Sequence, residues 1–438
     1  MEPKQPTSAS QNTERHLEQK ARSVFATALD LHLKGLRASA EAAYYEAVAY
    51  APQNPFALNN LGMLLMERDC LDEAIGFYRR ALAAKPVFPE ALNNLGNALK
   101  AQNRLAEAVD VYGEGLRQKP DFKDLQYNDA LAHLKLGNMP VCWSKFESRW
   151  HTAYLKNVRR NFTQPRYWGD EPLAGKSILL HVEQGMGDTL QMVRYVKLLR
   201  ERGAARVYLE VQPVLKSLLS AMQDVAGVYA TGEPLPPFDT YCPMMSLPLV
   251  FGTTMESLPR EVPYVHVRPE RVAQLAIELE SCPHPRIGVC WKGNPAFKHD
   301  KERSPGLGPF LKLLSVTGVQ FVNLVPDCRA EFLEATGDSG FDLGRELMPT
   351  AEGFEETAAL IANLDLVITS DTAVCHLAGA LGKPVWVLLA LVVADWRWLL
   401  DRDDSPWYPT ARLFRQQTKG DWNAVIERVI DQLKLIKE

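Results

Sequence analysis

Three segments of this sequence place reactive residue types where a strand is expected to run into a helix. The first is His181-Val182-Glu183-Gln184-Gly185-Met186-Gly187-Asp188. Gly185 and Gly187 allow a sharp turn and close backbone approach, and the helix after them opens with free N–H groups. Asp188 has two readings: a helix cap, or a general base at the carboxyl end of a strand, facing a cleft. The second segment is Cys290-Trp291-Lys292-Gly293-Asn294-Pro295, followed by Lys298 and Lys301-Glu302-Arg303-Ser304. Lys292 as a point charge, Arg303 as a fork and Asn294 as a hydrogen-bond partner suit a diphosphate. A solvated basic loop is the plainer alternative. The third segment runs from Asp365 to Ala380. A buried strand ends at Ser370-Asp371-Thr372 and a small-residue helix begins, whose N-terminus attracts anions. His376 lies one turn after Thr372 on the same face, with a purely structural histidine as the alternative. Cys375 reads as a small packing residue.

Alternating strands and helices position these segments. Strands are predicted over 177–182, 205–211, 286–291, 321–325, 364–369 and 384–389, and helices over 189–202 and 371–381. That alternation gives a parallel α/β sheet. It falls into two Rossmann-like halves, 176–275 and 276–420, with a cleft between them. A last helix, 422–436 within the segment 421–438, is expected to cross back onto the first half. Residues 151–175, with Lys156, Arg159, Arg160 and Arg166, then Pro165 and Pro172, read as a linker packed at an interface, its charge run more a solvated face than a site.

The region before them repeats with a period of 34. Ala28, Gly62, Gly96 and Ala130 share one column, as do Ala40, Ala74 and Ala108; Tyr44, Tyr78 and Tyr112; and Pro52, Pro86 and Pro120. The small residue lets a second helix approach, the alanine does so from the other side, and the tyrosine fills the groove. Proline closes each unit because it cannot continue a helix. The pattern resembles the tetratricopeptide repeat. A solenoid is expected over 21–150: about three repeats and a degenerate fourth, in which Cys142 and Arg149 replace small residues and which caps against the next domain. Residues 1–20 are expected to be frayed. The resemblance implies a concave face that binds a protein or peptide, with self-association or packing as alternatives.

Length and composition set bounds on the rest. At roughly 150 residues per domain, 438 residues make about three domains. Lys+Arg 49 against Asp+Glu 53 leaves a charge of −4, so a general nucleic-acid binder is not expected. Seven cysteines without a C-x-x-C pair suggest neither a disulfide framework nor a zinc site. No apolar signal segment or membrane span is read, so the expectation is a cytoplasmic protein, not an integral membrane one. Asp401-Arg402-Asp403 matches a metal-binding D-x-D formally, but its setting reads as a surface turn. Trp386, Trp396, Trp398, Trp407 and Trp422 crowd the C-terminal region, to stack on a base or sugar or to staple the C-terminal helix.

Taken together, the G-x-G-D turn, the W-K-G-N-P strand end, S-D-T…H-L-A-G-A-L-G-K-P and Asp395-Trp396-Arg397-Trp398-Leu399-Leu400 resemble bacterial glycosyltransferases of family 9, the heptosyltransferase type, coupled to tetratricopeptide repeats. The resemblance implies α + α/β architecture: a solenoid followed by a GT-B pair of Rossmann-like domains. It implies an inverting transferase that uses a nucleotide-sugar co-substrate, with no cofactor and no metal. Asp188 would be the base, and Asp371, Thr372, His376, Lys292, Asn294 and Arg303 would hold the donor. Heptosyltransferases tend to have glycine after the Asp-Thr pair, where this chain has Ala373, which leaves the donor sugar open. A scaffold with an inactive transferase-like domain, a nucleotide-sugar sensor and an O-linked N-acetylglucosamine-type transferase with a UDP donor stand as alternatives.

Overall fold

The computed structural model describes residues 8–152, 155–344 and 353–436. The chain divides into two units, Met1–His133 and Leu134–Glu438.

The first unit is helical. It contains α1 (Ser8–Leu33), α2 (Arg37–Tyr50), α3 (Pro55–Glu67), α4 (Leu71–Ala84), α5 (Pro89–Ala101), α6 (Leu105–Gln118) and most of α7 (Lys123–Lys135). Pro55 and Pro89 open their helices at positions where a missing N–H costs nothing. The Asn54 carboxamide oxygen caps α3 by accepting from the Phe56 and Ala57 N–H groups. The repeat columns have a steric cause. A Cβ on Gly62 would lie 2.7 Å from the Tyr78 ring, and one on Gly96 would meet the Tyr112 ring more closely still. Ala74 and Ala108, one turn before these tyrosines on the same helices, are fully buried. Asn94 donates to Asn59 at 2.9 Å and Asn128 to Asn93 at 3.0 Å, linking successive repeats. Helix α1 begins at Ser8, so the expected frayed segment is helical from there; residues 1–7 lie outside the described residues.

The solenoid expected to reach residue 150 ends earlier. Helix α8 (Met139–Phe146) belongs to the second unit. Its bulky side chains, which cannot nest in a helical hairpin, bury themselves there instead. The Trp143 indole N–H donates to the Thr253 carbonyl at 2.7 Å, and its ring lies edge-on to Trp396. Arg149, wholly buried, donates to both Glu183 carboxylate oxygens (2.9 and 3.0 Å), to Ser246 and to Glu147.

The second unit holds two parallel sheets. Strands β1 (Ser177–His181), β2 (Arg206–Val211), β3 (Gly227–Ala230) and β4 (Thr240–Pro243) form one in the order β3-β2-β1-β4. Strands β5 (Arg286–Cys290), β6 (Gln320–Asn323), β7 (Gly340–Phe341), β8 (Leu366–Ser370), β9 (Val385–Leu389) and β10 (Ala411–Arg415) form the other, β10-β9-β8-β5-β6-β7. Every pairing is parallel. Helices cover the faces of such sheets, which explains the near-continuous apolar runs of β1, β8 and β9. The helix expected over 189–202 is two: α9 (Met186–Met192) and α10 (Tyr195–Glu201). Between them Arg194 turns inward, donating to the Pro259 and Trp407 carbonyls and the Tyr264 hydroxyl, each at 2.8 Å.

The 151–175 segment packs within the second unit, but part of its charge run is engaged rather than solvated: Arg160 pairs with buried Glu210 at 2.8 Å, Arg166 pairs with Glu147 at 2.5 Å, and the Tyr167 N–H donates to the Tyr241 carbonyl in β4. Each buried carboxylate needs a cation, and this segment supplies two. The last helix does not cross back. Among helices α11 (Lys216–Leu219), α12 (Leu247–Val250), α13 (Pro269–Glu278), α14 (Asp300–Arg303), α15 (Leu307–Leu314), α16 (Arg329–Thr336), α17 (Gly353–Ala362), α18 (Ala373–Ala380) and α19 (Trp422–Ile436), the last packs on α15 and β10 of its own half. Val425, Ile426, Val429 and Leu433 form its buried stripe. No helix among the described residues is long and apolar enough to cross a membrane.

The Gly96–Tyr112 fit is directly testable. Gly96→Ala should destabilise the helical unit by about 1–3 kcal/mol through overpacking, read as a lower denaturation midpoint. Tyr112→Phe, which keeps the ring, should cost less. An unchanged midpoint for Gly96→Ala would contradict the packing described.

Candidate active site at the strand ends

One strand of each sheet, β1 and β8, leads through a turn into a helix that meets the other's. After β1 the chain turns at Gly185 and enters α9, and after β8 it turns at Asp371 and enters α18. The two helices meet. A Cβ on Gly187 would lie 2.6 Å from the His376 ring, so only glycine allows this approach. Gly185, in an extended conformation, is the N-cap of α9.

Asp188 sits at the third position of α9, not at its cap. Its Oδ2 accepts from the Gly185 N–H at 2.8 Å, closing the turn. Its Oδ1 accepts from Arg397. Arg397 is buried and also donates to Gln191 and, at 2.9 Å, to Asp395. The Asp395 N–H in turn donates to the Asp371 carboxylate at 3.1 Å. One hydrogen-bonded chain therefore runs from the first half to the second: Asp188, Arg397, Asp395, Asp371. Burial pushes the Asp188 carboxyl above its usual range; Arg397 opposes this and Asp395 adds to it. Burial and the neighbouring Asp395 push Asp371 in the same direction.

Thr372 is the N-cap of α18, and its hydroxyl lies 3.2 Å from that of Thr369. The Ser370 hydroxyl, at the end of β8, is buried with no hydrogen-bond partner. His376 is buried, its Nδ1 2.9 Å from the Tyr408 hydroxyl and its ring stacked on Trp398 at 5.5 Å. Burial holds it well below the usual histidine range, so it is neutral at pH 7. Asp371, Cys375 and His376 each offer a ligand-type atom within 4.8 Å of the others.

The basic loop is less convergent. Arg303 bonds Asp300 at 3.0 Å and lies over the Phe297 ring, and its charge reaches Asp371 and His376. Gly293 leaves room there for the Arg303 and Asp300 side-chain ends, which a Cβ would displace. Lys292 is half-buried beside Cys328, which pushes its ammonium up. Asn294 is exposed, and its side-chain oxygen accepts from the Ala296 N–H at 2.9 Å, closing its own turn. Asp401, Asp403 and Asp404 are exposed, and Arg402 forks onto Asp404 at 2.6 Å. The tryptophans of the C-terminal region are all buried, in keeping with packing. Trp398 stacks on a site residue, His376.

Arg397 is the main residue that motif reading left without a role. Its signal lay in the sequence: an arginine between two tryptophans, in a stretch otherwise apolar enough to be buried, demands acidic partners. Lys135 gives no such signal, because it lies in the repeat region, far from the motifs.

Comparison with known proteins is consistent with this division. Tetratricopeptide repeat models match residues 25–87 and 70–134. The model of glycosyltransferase family 9 (heptosyltransferase) matches residues 343–390, which include β8, α18 and β9. Protein FlbA of Caulobacter vibrioides is 28% identical over 335 residues, covering 71% of this chain and 55% of that protein. The chain thus spans about half the length of this curated relative. Among solved structures, E. coli ADP-heptose lps heptosyltransferase II aligns at 15% identity and a TM-score of 0.43, over 60% of this chain and 98% of its own. The first TPR of Spaghetti (RPAP3), solved with an HSP90 peptide, aligns at 20% identity and a TM-score of 0.26, over 26% of this chain and 90% of its own. The chain carries tetratricopeptide repeats followed by a family 9, heptosyltransferase-like domain.

Removing the guanidinium should leave buried carboxylates unpaired. Arg397→Met should destabilise the second unit by about 3–5 kcal/mol, measured by denaturant titration. A loss below about 1 kcal/mol would mean that Arg397 is not the buried partner described.

Proposed function

We propose that the second unit transfers a sugar from a nucleotide-sugar donor to a hydroxyl acceptor, with inversion, and that the repeats select a protein or peptide that carries or recruits that acceptor. The observation that carries this reading is the chain from Asp188 to Asp371. It joins the strand-end turns of two parallel sheets, where α/β proteins bind ligands. The family 9 match on the β8–α18 segment supports the donor assignment. So does the unpartnered Ser370 hydroxyl, since a buried hydroxyl without a partner costs about 1–3 kcal/mol and a phosphate oxygen would relieve that cost.

In this reading the donor diphosphate lies against Thr372 and the N-terminus of α18, with Arg303 and Lys292 at the edge and Asn294 and His376 shaping the pocket. The acceptor oxygen attacks the anomeric carbon from the first half. Its proton passes to Asp188, and the bond from carbon to the diphosphate breaks with its electron pair leaving on the nucleotide. An oxocarbenium-like transition state is general to such chemistry. The helix N-terminus and nearby cations stabilise the departing charge. A carboxyl pushed up by burial is a stronger base than a free aspartate. Arg397 must release Oδ1 for Asp188 to act.

That last requirement favours a second reading, a scaffold whose transferase-like unit does not turn over. Both Asp188 oxygens are already engaged. A nucleotide-sugar panel with mass detection of released nucleotide separates the two. Transfer should occur with one donor class, and Asp188→Asn should lower kcat by roughly 100-fold or more with KM for the donor little changed. Absence of release from every donor supports the scaffold. The reading assigns no metal, so EDTA should leave turnover unchanged. Loss of turnover on chelation would overturn that assignment and direct attention to Asp371, Cys375 and His376.

A further inference from the structure

Lys135 is the last residue of α7 and falls within the second unit. It is 8% exposed, an unusual state for a lysine, which is rarely buried without a partner. Its ammonium donates to the Val392 carbonyl at 2.8 Å. Val392 lies in the segment after β9, at the carboxyl end of the six-stranded sheet and three residues before Asp395. Gly137, close by in sequence, approaches the Leu399 side chain, so the start of the second unit runs along the segment that carries Asp395 and Arg397. The charged groups facing Lys135 are Asp395 and Asp371, which favour its ammonium, and Arg415, which opposes it.

The charge balance gives this lysine a task. Asp188, Asp371 and Asp395 gather around the strand ends, and Arg397 satisfies Asp188 and Asp395. Asp371 accepts an N–H from Asp395 and is reached by the Arg303 charge, and an anionic ligand approaching it meets a carboxylate. Lys135 adds positive charge within electrostatic reach of that pair while bonding the loop that holds it. The motifs of the transferase-like domain all lie beyond residue 180, so this cation comes from outside them.

We propose that Lys135 is a positioning residue of the donor site: it fixes the 391–395 loop and balances the Asp371–Asp395 pair, so that a nucleoside diphosphate can dock at the N-terminus of α18. The inference rests on the donor reading above and names a residue that this reading does not use. Burial lowers the Lys135 ammonium to about 8. Below that pH it is a cation and favours a bound anion; above it, the charge and its contribution to affinity are lost.

The test is calorimetric binding of UDP, ADP, GDP and CDP to the full chain between pH 6.5 and 9.5, for wild type, Lys135→Arg and Lys135→Met. Wild type should bind one of them and lose affinity several-fold as pH rises through about 8. Lys135→Arg should bind comparably at pH 7 without that loss, because arginine stays charged. Lys135→Met should bind at least about fivefold more weakly at pH 7, with a flat profile. If wild type binds and Lys135→Met matches its affinity and profile, this inference fails while the donor reading stands. If wild type binds none of the four, the donor reading fails and this inference with it. Should Lys135→Met not fold, Lys135→Arg decides: an arginine variant that still loses affinity near pH 8 overturns the proposal.

Discussion

A guanidinium taken out of water has to be surrounded by acceptors, and the second unit is arranged around that requirement at Arg397. Its acceptors come from both halves: Asp188 and Gln191 from α9, and Asp395 from the segment after β9. The close approach of α9 to α18 accompanies this, and with it the need for glycine at 187. Arg194 repeats the device one turn away by binding carbonyls at 259 and 407. Arg149 does so on the other side, holding Glu183 of the first motif to the short turn of helix after α8. The buried ion pairs of Arg397 and Arg149 add little net stability over apolar packing but are costly to break singly. Their consequence here is geometric: Arg397 ties the turn after β1 to the segment after β9, and Arg149 ties Glu183, also after β1, to the helical turn after α8.

In the proposed reading Asp188 has two roles that compete. As a turn-closing acceptor for Gly185 and a partner of Arg397 it is a structural carboxylate. As a base it must shed one of those bonds. Burial raises the proton affinity of the carboxylate, but it also makes the Arg397 contact costly to break unless another group replaces it. An anionic donor that drew Arg397 toward its phosphates would free the oxygen that the acceptor needs.

Much of this was legible in the sequence. The columns at period 34 encode ring-against-glycine contacts that the structure contains at Gly62–Tyr78 and Gly96–Tyr112. The strands at 177, 206, 286, 366 and 385 fall where apolar runs end in Gly, Asp or Pro. Other features were not legible, for identifiable reasons. The boundary at 133 rather than 150 depends on where Trp143 and Arg149 find partners, and those partners lie about a hundred residues or more than thirty residues away. The last helix has one apolar stripe whichever half receives it, so its amphipathic pattern could not choose between them. Asn294 and Lys292 have the chemistry of phosphate ligands, but the Asn294 oxygen closes its own turn and Lys292 lies beside Cys328, neither of which their sequence neighbours announce.

The central claim is that the two strand-end turns form one ligand site centred on Asp188, Arg397 and the α18 N-terminus. The most direct measurement is a crystal structure of the protein with a nucleoside diphosphate that it binds. The account predicts the diphosphate against Thr372 and the first N–H groups of α18, with Ser370 now hydrogen-bonded and the Arg397–Asp188 contact lengthened. A diphosphate bound elsewhere, with that ion pair intact and Ser370 still unpartnered, would contradict it.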